Sequence, residues 1–156
     1  MKSSRHHIRG KILQVLYAYQ LSGDPVEKIK SDILTDIKDK EHLAFADKLV
    51  SYVIENEKHF DELARSAIDN WDIERIALID LIIIKMCLAE LFYFEDIPPK
   101  VSINEAIELA KEFSTRNSSK FVNGVLDALL LRFTKSGEIK KTGKGLITTS
   151  VKTTDK

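Results

Sequence analysis

The stretch IALIDLIIIKMCLAELFYF, residues 76–94, decides the fold of this chain. Apolar side chains cover almost every side of the segment, which is interrupted mainly by Asp80, Lys85 and Glu90. The segment is too long for a buried strand and is rich in helix formers, so we interpret it as a helix. Because a helix that is apolar all round must be enclosed by other helices, we expect a bundle built around residues 76–94.

Six further helices are predicted around this one, and no segment makes a convincing strand. Each shows apolar residues at the three- and four-residue spacing of one helix face. Ser102 and Glu105 have the spacing of a capping box, which predicts a helix start at Ser102. The sequence therefore predicts an all-α fold with seven helices. Besides the central one, the apolar patterns cover residues 8–19, 26–37, 43–54, 60–71, 103–113 and 121–133.

The chain of 156 residues has the length of one domain. Beyond residue 134 the composition changes to Gly, Thr, Ser and Lys with scarcely any apolar periodicity. We therefore expect a helical domain over residues 1–134 and a flexible, lysine-rich tail over residues 135–156.

Charge is distributed unevenly along the chain, although 24 basic residues balance 24 acidic ones. Residues 1–11 hold basic side chains and no acid, and residues 135–156 hold six lysines against two acids. Two basic ends on an acidic body indicate a polyanionic partner that is contacted locally. The alternative, which is the simpler one for the tail, is that charged termini keep the protein in solution.

The sequence lacks the converging groups of an enzyme or a metal site. His6 and His7 are adjacent, so on a helix they project roughly 100° apart and do not bind one metal together. His42 and His59 stand alone, and Cys87 in the most apolar helix is interpreted as a small buried hydrophobe. We predict no enzymatic activity, no cofactor and no metal.

The apolar runs are too short to cross a bilayer, and the chain does not open on a signal-peptide pattern. A single cysteine excludes an internal disulfide and suits a reducing compartment. We therefore expect a cytoplasmic protein that has no membrane partner.

The first predicted helix has the clearest functional signal. Arg5 and Arg9 are four residues apart, so they lie on one face of the helix, with Lys2 and His6 nearby. Cations at a helix N-terminus oppose the macrodipole at a cost of roughly 0.3–1 kcal/mol each. A phosphate backbone would offset that cost. Nucleic-acid contact and a merely solvated basic face both stay open at this point.

Two polar residues interrupt apolar helix faces and need an explanation. Glu90 lies in the central helix and Asn123 in the last one. Since buried polar groups are almost always hydrogen-bonded, we interpret both as hydrogen-bonding posts between helices, with direct ligand contact as the alternative.

Two motifs near the C-terminus make the sequence recognisable. Residues 101–111 are VSINEAIELAK, and residues 119–127 are SKFVNGVLD. Together with QVLY at residues 14–17, preceded by arginines, and the Glu-Leu ending of residues 85–91, they resemble the bacterial NusB family of transcription antitermination factors. The resemblance covers about residues 5–133.

The resemblance implies a fold of two packed three-helix bundles with an additional N-terminal helix. It also implies binding to single-stranded boxA RNA of ribosomal RNA leaders together with the ribosomal protein NusE. Other Nus factors and RNA polymerase would complete the antitermination complex. Glu90 matches a glutamate on the helix that faces the ribosomal partner. Because family members occur as monomers and dimers, a homodimer is a further option.

The resemblance also implies RNA-contacting residues. Arg5 and Arg9, with His6 between them, match the arginine-rich motif of the family, and Lys120 and Phe121 match the start of its last helix, near the RNA path. The cations would neutralise phosphates, and Phe121 would stack on an unpaired base. A core position is the alternative for Phe121.

The chain departs from the family pattern where arginines often form a run. His6, His7 and Ile8 stand there instead. Since imidazoles are largely neutral near pH 7, RNA affinity is expected to be lower or dependent on pH.

Two other functions remain open. The chain could be a NusB-like scaffold or dimerisation module that associates through the apolar residues 76–94 or their neighbours. It could also be a fragment of a ribosomal RNA cytosine methyltransferase, although the cofactor-binding α/β domain of such an enzyme is absent from this sequence.

Overall fold

A computed structural model of the chain describes residues 4–68 and 76–147. Within these ranges the chain forms seven α-helices and a short 3₁₀ helix at Gly143–Ile147, without any strand. The predicted all-α class and the seven helices are therefore confirmed in the described residues. The helices are α1 Ser4–Ser22, α2 Val26–Ile33, α3 Lys40–Glu55, α4 Glu57–Ile68, α5 Leu78–Tyr93, α6 Pro99–Phe113 and α7 Arg116–Ser136.

Helix α5 is the centre of the molecule. Every residue from Asp80 to Leu91 is buried, and α5 packs against α1, α3, α4, α6 and α7. Helix α1 also packs against α2 and α3, and α7 packs against α4 and α6, so two groups of helices meet at α5. Each fully buried Leu or Ile side chain contributes roughly 1.5–3 kcal/mol, which makes the apolar segment the main source of stability.

The three charged residues of α5 are buried together with partners from other helices. Asp80 accepts a hydrogen bond from the Ser118 hydroxyl of α7 at 2.7 Å. Lys85 pairs with carboxylates of α4, including Asp61 at 3.2 Å, and Glu90 pairs with an arginine of α1. A buried charge without a partner would be very costly, so these contacts are what allow α5 to be enclosed on all sides.

Several helices begin earlier than the apolar patterns of the sequence, and α6 also lacks the predicted capping box. Helix α6 begins at Pro99, with Pro98 as its N-cap residue. Ser102 therefore lies inside the helix, and its hydroxyl donates a hydrogen bond to Glu90 at 2.7 Å. The predicted capping box is wrong because the Ser102 hydroxyl binds the buried Glu90 carboxylate and does not cap the helix. Helix α7 begins at Arg116, earlier than predicted.

The first half of the chain shows two sharp helix boundaries. Asp39 caps α3, where its carboxylate accepts hydrogen bonds from the backbone N–H groups of Glu41 and His42. These two hydrogen bonds lower the pKa of Asp39. Between α3 and α4 only Asn56 is non-helical. Helix α4 ends at Ile68, and the remainder of the predicted fourth helix, to residue 71, lies outside the described residues.

Part of the tail that was predicted to be flexible packs against the end of α5. Residues 137–147, the C-terminal strap, follow α7, and the Lys141 ammonium group donates to the carbonyl oxygens of Glu90 at 3.1 Å and Phe94 at 2.7 Å. Burial lowers the pKa of Lys141, with Glu90 opposing this effect. The backbone N–H of Thr142 donates to Glu95 O at 3.0 Å. The strap thus covers the end of α5, while residues 148–156 lie outside the described residues and the proposed domain division stays a prediction.

Replacing Gly145 with alanine is expected to detach the strap, because a Cβ atom there would lie 2.0 Å from the backbone oxygen of Glu95. Hydrogen exchange of the Thr142 amide should accelerate about tenfold, since losing the contact forfeits on the order of 1–2 kcal/mol. Mass spectrometry of exchange measures this change. Lys144→Ala, at an exposed position of the same strap, is the control, and unchanged protection in Gly145→Ala would refute the docking contact.

Candidate nucleic-acid interface

The arginine-bearing face of α1 turns toward the interior. Arg9 is only 3% exposed, and its guanidinium group donates from Nε and Nη2 to the two carboxylate oxygens of Glu90, at 2.8 Å each. Burial alone would lower the pKa of Arg9, but the nearby acidic groups, Glu90 first and then Glu105, oppose this effect, and the net pKa is raised. Arg9 and Glu90 therefore form a charged, bidentate pair that fixes α1 on α5.

Arg5 lies on the same face of α1, as predicted, and is half-buried. Its guanidinium carbon lies 4.0 Å from the centre of the Phe45 ring, and that of Arg9 lies 5.3 Å from the same ring. The two arginines thus flank one aromatic side chain of α3, in a cation–π arrangement. Arg5 is the one of the two that keeps a partly exposed side chain.

His6 connects α1 to α6. The residue is 6% exposed; its Nδ1 lies 2.6 Å from a Glu105 carboxylate oxygen, and its Nε2 lies 3.0 Å from one of Glu112. Both ring nitrogens therefore contact carboxylates of the protein itself.

Two predicted contact residues, Arg9 and Glu90, do not fit this geometry. Arg9 was predicted to touch RNA, but it is buried against the Glu90 carboxylate. His6 is also largely buried against carboxylates, yet it borders an open cleft beside α1, so its RNA contact stays a prediction. Glu90 was predicted to face a partner protein, but it is 2% exposed and bonded to Arg9 and Ser102. The alternative interpretation of Glu90, a hydrogen-bonding post between helices, is confirmed. Asn123 is exposed on α7, and the same interpretation is wrong for it.

The start of α7 gives one exposed residue and one buried one. Lys120 is exposed, as a phosphate contact requires. Phe121 is 7% exposed and lines a small cavity of about 180 Å³ with Ile76 and Ser118. The ring is therefore a core residue, which was the alternative interpretation, and it does not offer a stacking face to a base.

The outer face of α1 lines a cleft of about 650 Å³. His7, Lys11 and Gln14 lie on its α1 side, at the i, i+4 and i+7 spacing of one helix face. These residues were not predicted as an interface. The polar positions between the apolar ones of α1 were the signal that could have indicated it. The other walls are formed by the turn after α2, the start of α3 and the end of α6, and include Asp36, Lys38, Asp39, His42, Glu112 and Phe113.

Cations and acids alternate around this cleft. Lys11, which is partly exposed, lies 3.6 Å from the exposed Asp36, and a pair this accessible contributes little to stability. Lys38 is exposed on the wall formed by the turn after α2. Gly10 forms part of the floor, where a Cβ atom would lie 3.4 Å from the Phe113 ring. The cleft thus offers separated positive groups and hydrogen-bond acceptors to one ligand.

The described ranges hold no group of three or more His, Cys, Asp or Glu side chains that could bind a metal ion. Cys87 is buried, and burial raises the pKa of its thiol well above the ordinary value. In the described part of the chain, no helix has the length and apolarity needed to span a membrane.

Comparison with known proteins gives a consistent assignment. The model of the NusB family matches residues 6–130. The chain is 44% identical to the transcription antitermination protein NusB of Chloroherpeton thalassium, over 92% of this chain and 69% of that protein. It is 41% identical to NusB of Salinibacter ruber, over 93% of this chain and 92% of that protein.

Solved structures agree with the fold. T. maritima NusB superposes with a TM-score of 0.74 at 32% identity, over 83% of this chain and 92% of that chain. A crystal structure of the antitermination factors NusB and NusE in complex with dsRNA superposes with a TM-score of 0.73 at 23% identity, over 83% and 99%. At that identity the second comparison supports the fold alone.

These findings show the class of this protein. It is an all-α factor of transcription antitermination, which is a regulatory protein and not an enzyme. The chain belongs to the NusB family. The resemblance seen in the sequence motifs is thereby confirmed.

Removing one partner of the Arg9–Glu90 pair is expected to be far worse than removing both. Arg9→Met leaves the Glu90 carboxylate buried without its cation and should lower the free energy of unfolding by about 3–5 kcal/mol. The double variant Arg9→Met/Glu90→Leu should recover most of that loss. Urea denaturation followed by circular dichroism measures both.

The matched control is the exposed Lys28–Asp24 pair, whose atoms lie 3.8 Å apart. Its removal should change the unfolding free energy by about 0–1 kcal/mol. Additive losses in the Arg9/Glu90 double variant would contradict the buried-pair mechanism.

Proposed function

We propose that this chain binds single-stranded boxA RNA of ribosomal RNA leaders together with NusE. In the cytoplasm the complex joins other Nus factors and RNA polymerase and suppresses termination. Family membership supports the proposal, as does the NusB–NusE complex with dsRNA that shares this fold. The observation that carries it is the open cleft on α1, whose rim holds cations.

The cleft is suited to an unpaired strand. Lys11 and Lys38 lie on two of its walls, and the half-exposed Arg5 belongs to the same end of α1. These cations would neutralise phosphates. Asp36 and Asp39 are acceptors for amino groups on base edges or for ribose hydroxyls, so they would add selectivity for RNA. A volume of about 650 Å³ is large enough for nucleotides.

The buried pairs have a positioning role in this proposal. Arg9 holds α1 against α5 through Glu90, and His6 holds α1 against α6 through Glu105 and Glu112. They fix the direction in which the outer face of α1 points, while Arg5 and the cleft residues make the RNA contacts. Binding of NusE is proposed from the family alone, because Glu90 is not accessible to a partner.

The rival functions receive less support. The scaffold hypothesis relied on the apolar residues 76–94 or their neighbours. Those from Leu81 to Leu91 are enclosed within the bundle, so association would have to use the neighbours. A homodimer would need another surface. Both curated relatives carry the name of the antitermination protein, which favours this function over a methyltransferase fragment.

Charge reversal in the cleft is expected to abolish most RNA binding. The variant Lys11→Glu/Lys38→Glu should bind a boxA-like single-stranded RNA about 10–100-fold more weakly, because two phosphate contacts become repulsive. The salt dependence of log K should flatten by about 0.7 per lost phosphate. Fluorescence anisotropy with labelled RNA, with and without NusE, measures both quantities.

The control variant Lys28→Glu/Lys58→Glu changes two exposed lysines of α2 and α4 outside the cleft. Equal affinity of cleft variant and control at every salt concentration would rule out the cleft as the RNA site. Light scattering with added RNA tests the scaffold hypothesis, which predicts a dimer that persists.

A further inference from the structure

The C-terminal half of α7 has a face that is exposed to solvent. We call it the α7 outer face and define it by Ala128, Leu131, Arg132, Lys135 and Ser136, all of which are exposed. Their spacing of three and four residues places them on one side of the helix. Together they line an open depression of about 490 Å³.

An apolar side chain lies in the middle of this depression. Leu131 is 58% exposed, whereas Val125, Leu129 and Phe133 on the other side of α7 are buried in the core. A single exposed leucine is ordinary on a protein surface. Here, however, the leucine lies in a depression and is flanked by two cations. An apolar centre with a charged rim is the usual composition of a protein-binding surface.

The two cations of the face are hardly used within the protein. Arg132 and Lys135 form no ion pair with any residue of the described ranges. Arg132 makes one long hydrogen bond, 3.4 Å from Nη1 to the Ser66 hydroxyl. The nearby Glu138 carboxylate accepts a hydrogen bond from Ser136 at 2.7 Å and does not pair with either cation. Both positive charges are therefore available to external carboxylates.

The charge of the face selects among possible occupants. A second copy placed on the same face by two-fold symmetry would bring the cations of both copies together. The end of this chain, residues 148–156, holds two lysines and one acid, so it is not complementary either. An RNA strand would find cations but no aromatic ring among the lining residues on which to stack a base. An acidic segment with an apolar side chain satisfies both the leucine and the cations.

We propose that the α7 outer face is a docking surface for an acidic peptide segment of a partner protein. An apolar side chain of the segment covers Leu131 and Ala128, and its carboxylates pair with Arg132 and Lys135. The guanidinium group of Arg132 binds one carboxylate through two parallel hydrogen bonds, and Lys135 contributes a point charge. The face shares no lining residue with the cleft on α1, so this proposal is independent of RNA binding.

The test begins with a random peptide library displayed on phage, which is selected against the whole chain. Enriched sequences should combine an apolar residue with neighbouring Asp or Glu. Fluorescence anisotropy then measures the affinity of the most enriched peptide. Leu131→Ala and Arg132→Glu/Lys135→Glu should each weaken its binding about tenfold, because one removes the apolar contact and the other makes the charge contacts repulsive. Affinity should also fall as salt is added.

Two control variants separate this site from general surface effects. Leu21→Ala removes a leucine of α1 that is similarly exposed, at 63%, and Lys28→Glu/Lys58→Glu reverses two exposed cations outside the face. Neither should change the peptide affinity. Because Leu131 is mostly exposed, Leu131→Ala should keep the melting temperature of the unchanged chain, and it should also keep its RNA affinity.

The remaining outcomes overturn the proposal in different ways. If no peptide is enriched, if the enriched peptides lack acids, or if Leu131→Ala binds them as the unchanged chain does, the face is not a peptide site. If sedimentation shows self-association that Leu131→Ala removes, the face joins two copies. If Arg132→Glu/Lys135→Glu weakens RNA binding, the face contacts phosphates. The cleft proposal is decided separately, by the Lys11→Glu/Lys38→Glu variant.

Discussion

The buried pair of Arg9 and Glu90 is the interaction on which the arrangement of α1 depends. Helix α5 is apolar on nearly all sides, so it gains most by full enclosure, yet Glu90 would be charged and unpaired inside it. Arg9 supplies the opposite charge in bidentate geometry, and Ser102 supplies a further hydrogen bond. The carboxylate thereby connects α1, α5 and α6 at one point. Because it joins three helices, the pair fixes their relative orientation as well as neutralising a charge.

The orientation fixed by this pair divides α1 into two faces with different roles. The inner face carries Arg5, His6 and Arg9, which contact Phe45 or carboxylates of α5 and α6. The outer face carries His7 and Lys11 and lines the cleft. By composition, the basic residues at the start of α1 suggest nucleic-acid binding. Some of them instead fix the position of the helix on the rest of the protein. The arginines of α1 thus help to hold the helix in place, while His7 and Lys11 line the ligand space.

The same residue, Glu90, also links the core to the end of the chain. Lys141 of the C-terminal strap binds the backbone carbonyl of Glu90, while Arg9 binds its side chain. The strap therefore closes the end of α5, where Lys141 adds a donor to carbonyl oxygens that also accept from backbone N–H groups. Composition alone suggested no packing for this segment. Its contacts are made by Lys141, by backbone groups and by Gly145, which lies close to the backbone oxygen of Glu95. None of these contacts produces a hydrophobic periodicity in the sequence.

The sequence by itself determined the helical class, the number of helices and the central position of residues 76–94, because apolar periodicity reports directly on burial. It also determined the family, through the motifs at residues 101–111 and 119–127. Only the tertiary structure decided which charged residues are available. Arg9 and Lys120 look alike in a sequence, but one is paired inside the bundle and the other is exposed. Their partners lie far apart in the chain, and local patterns contain no information about contacts between distant helices.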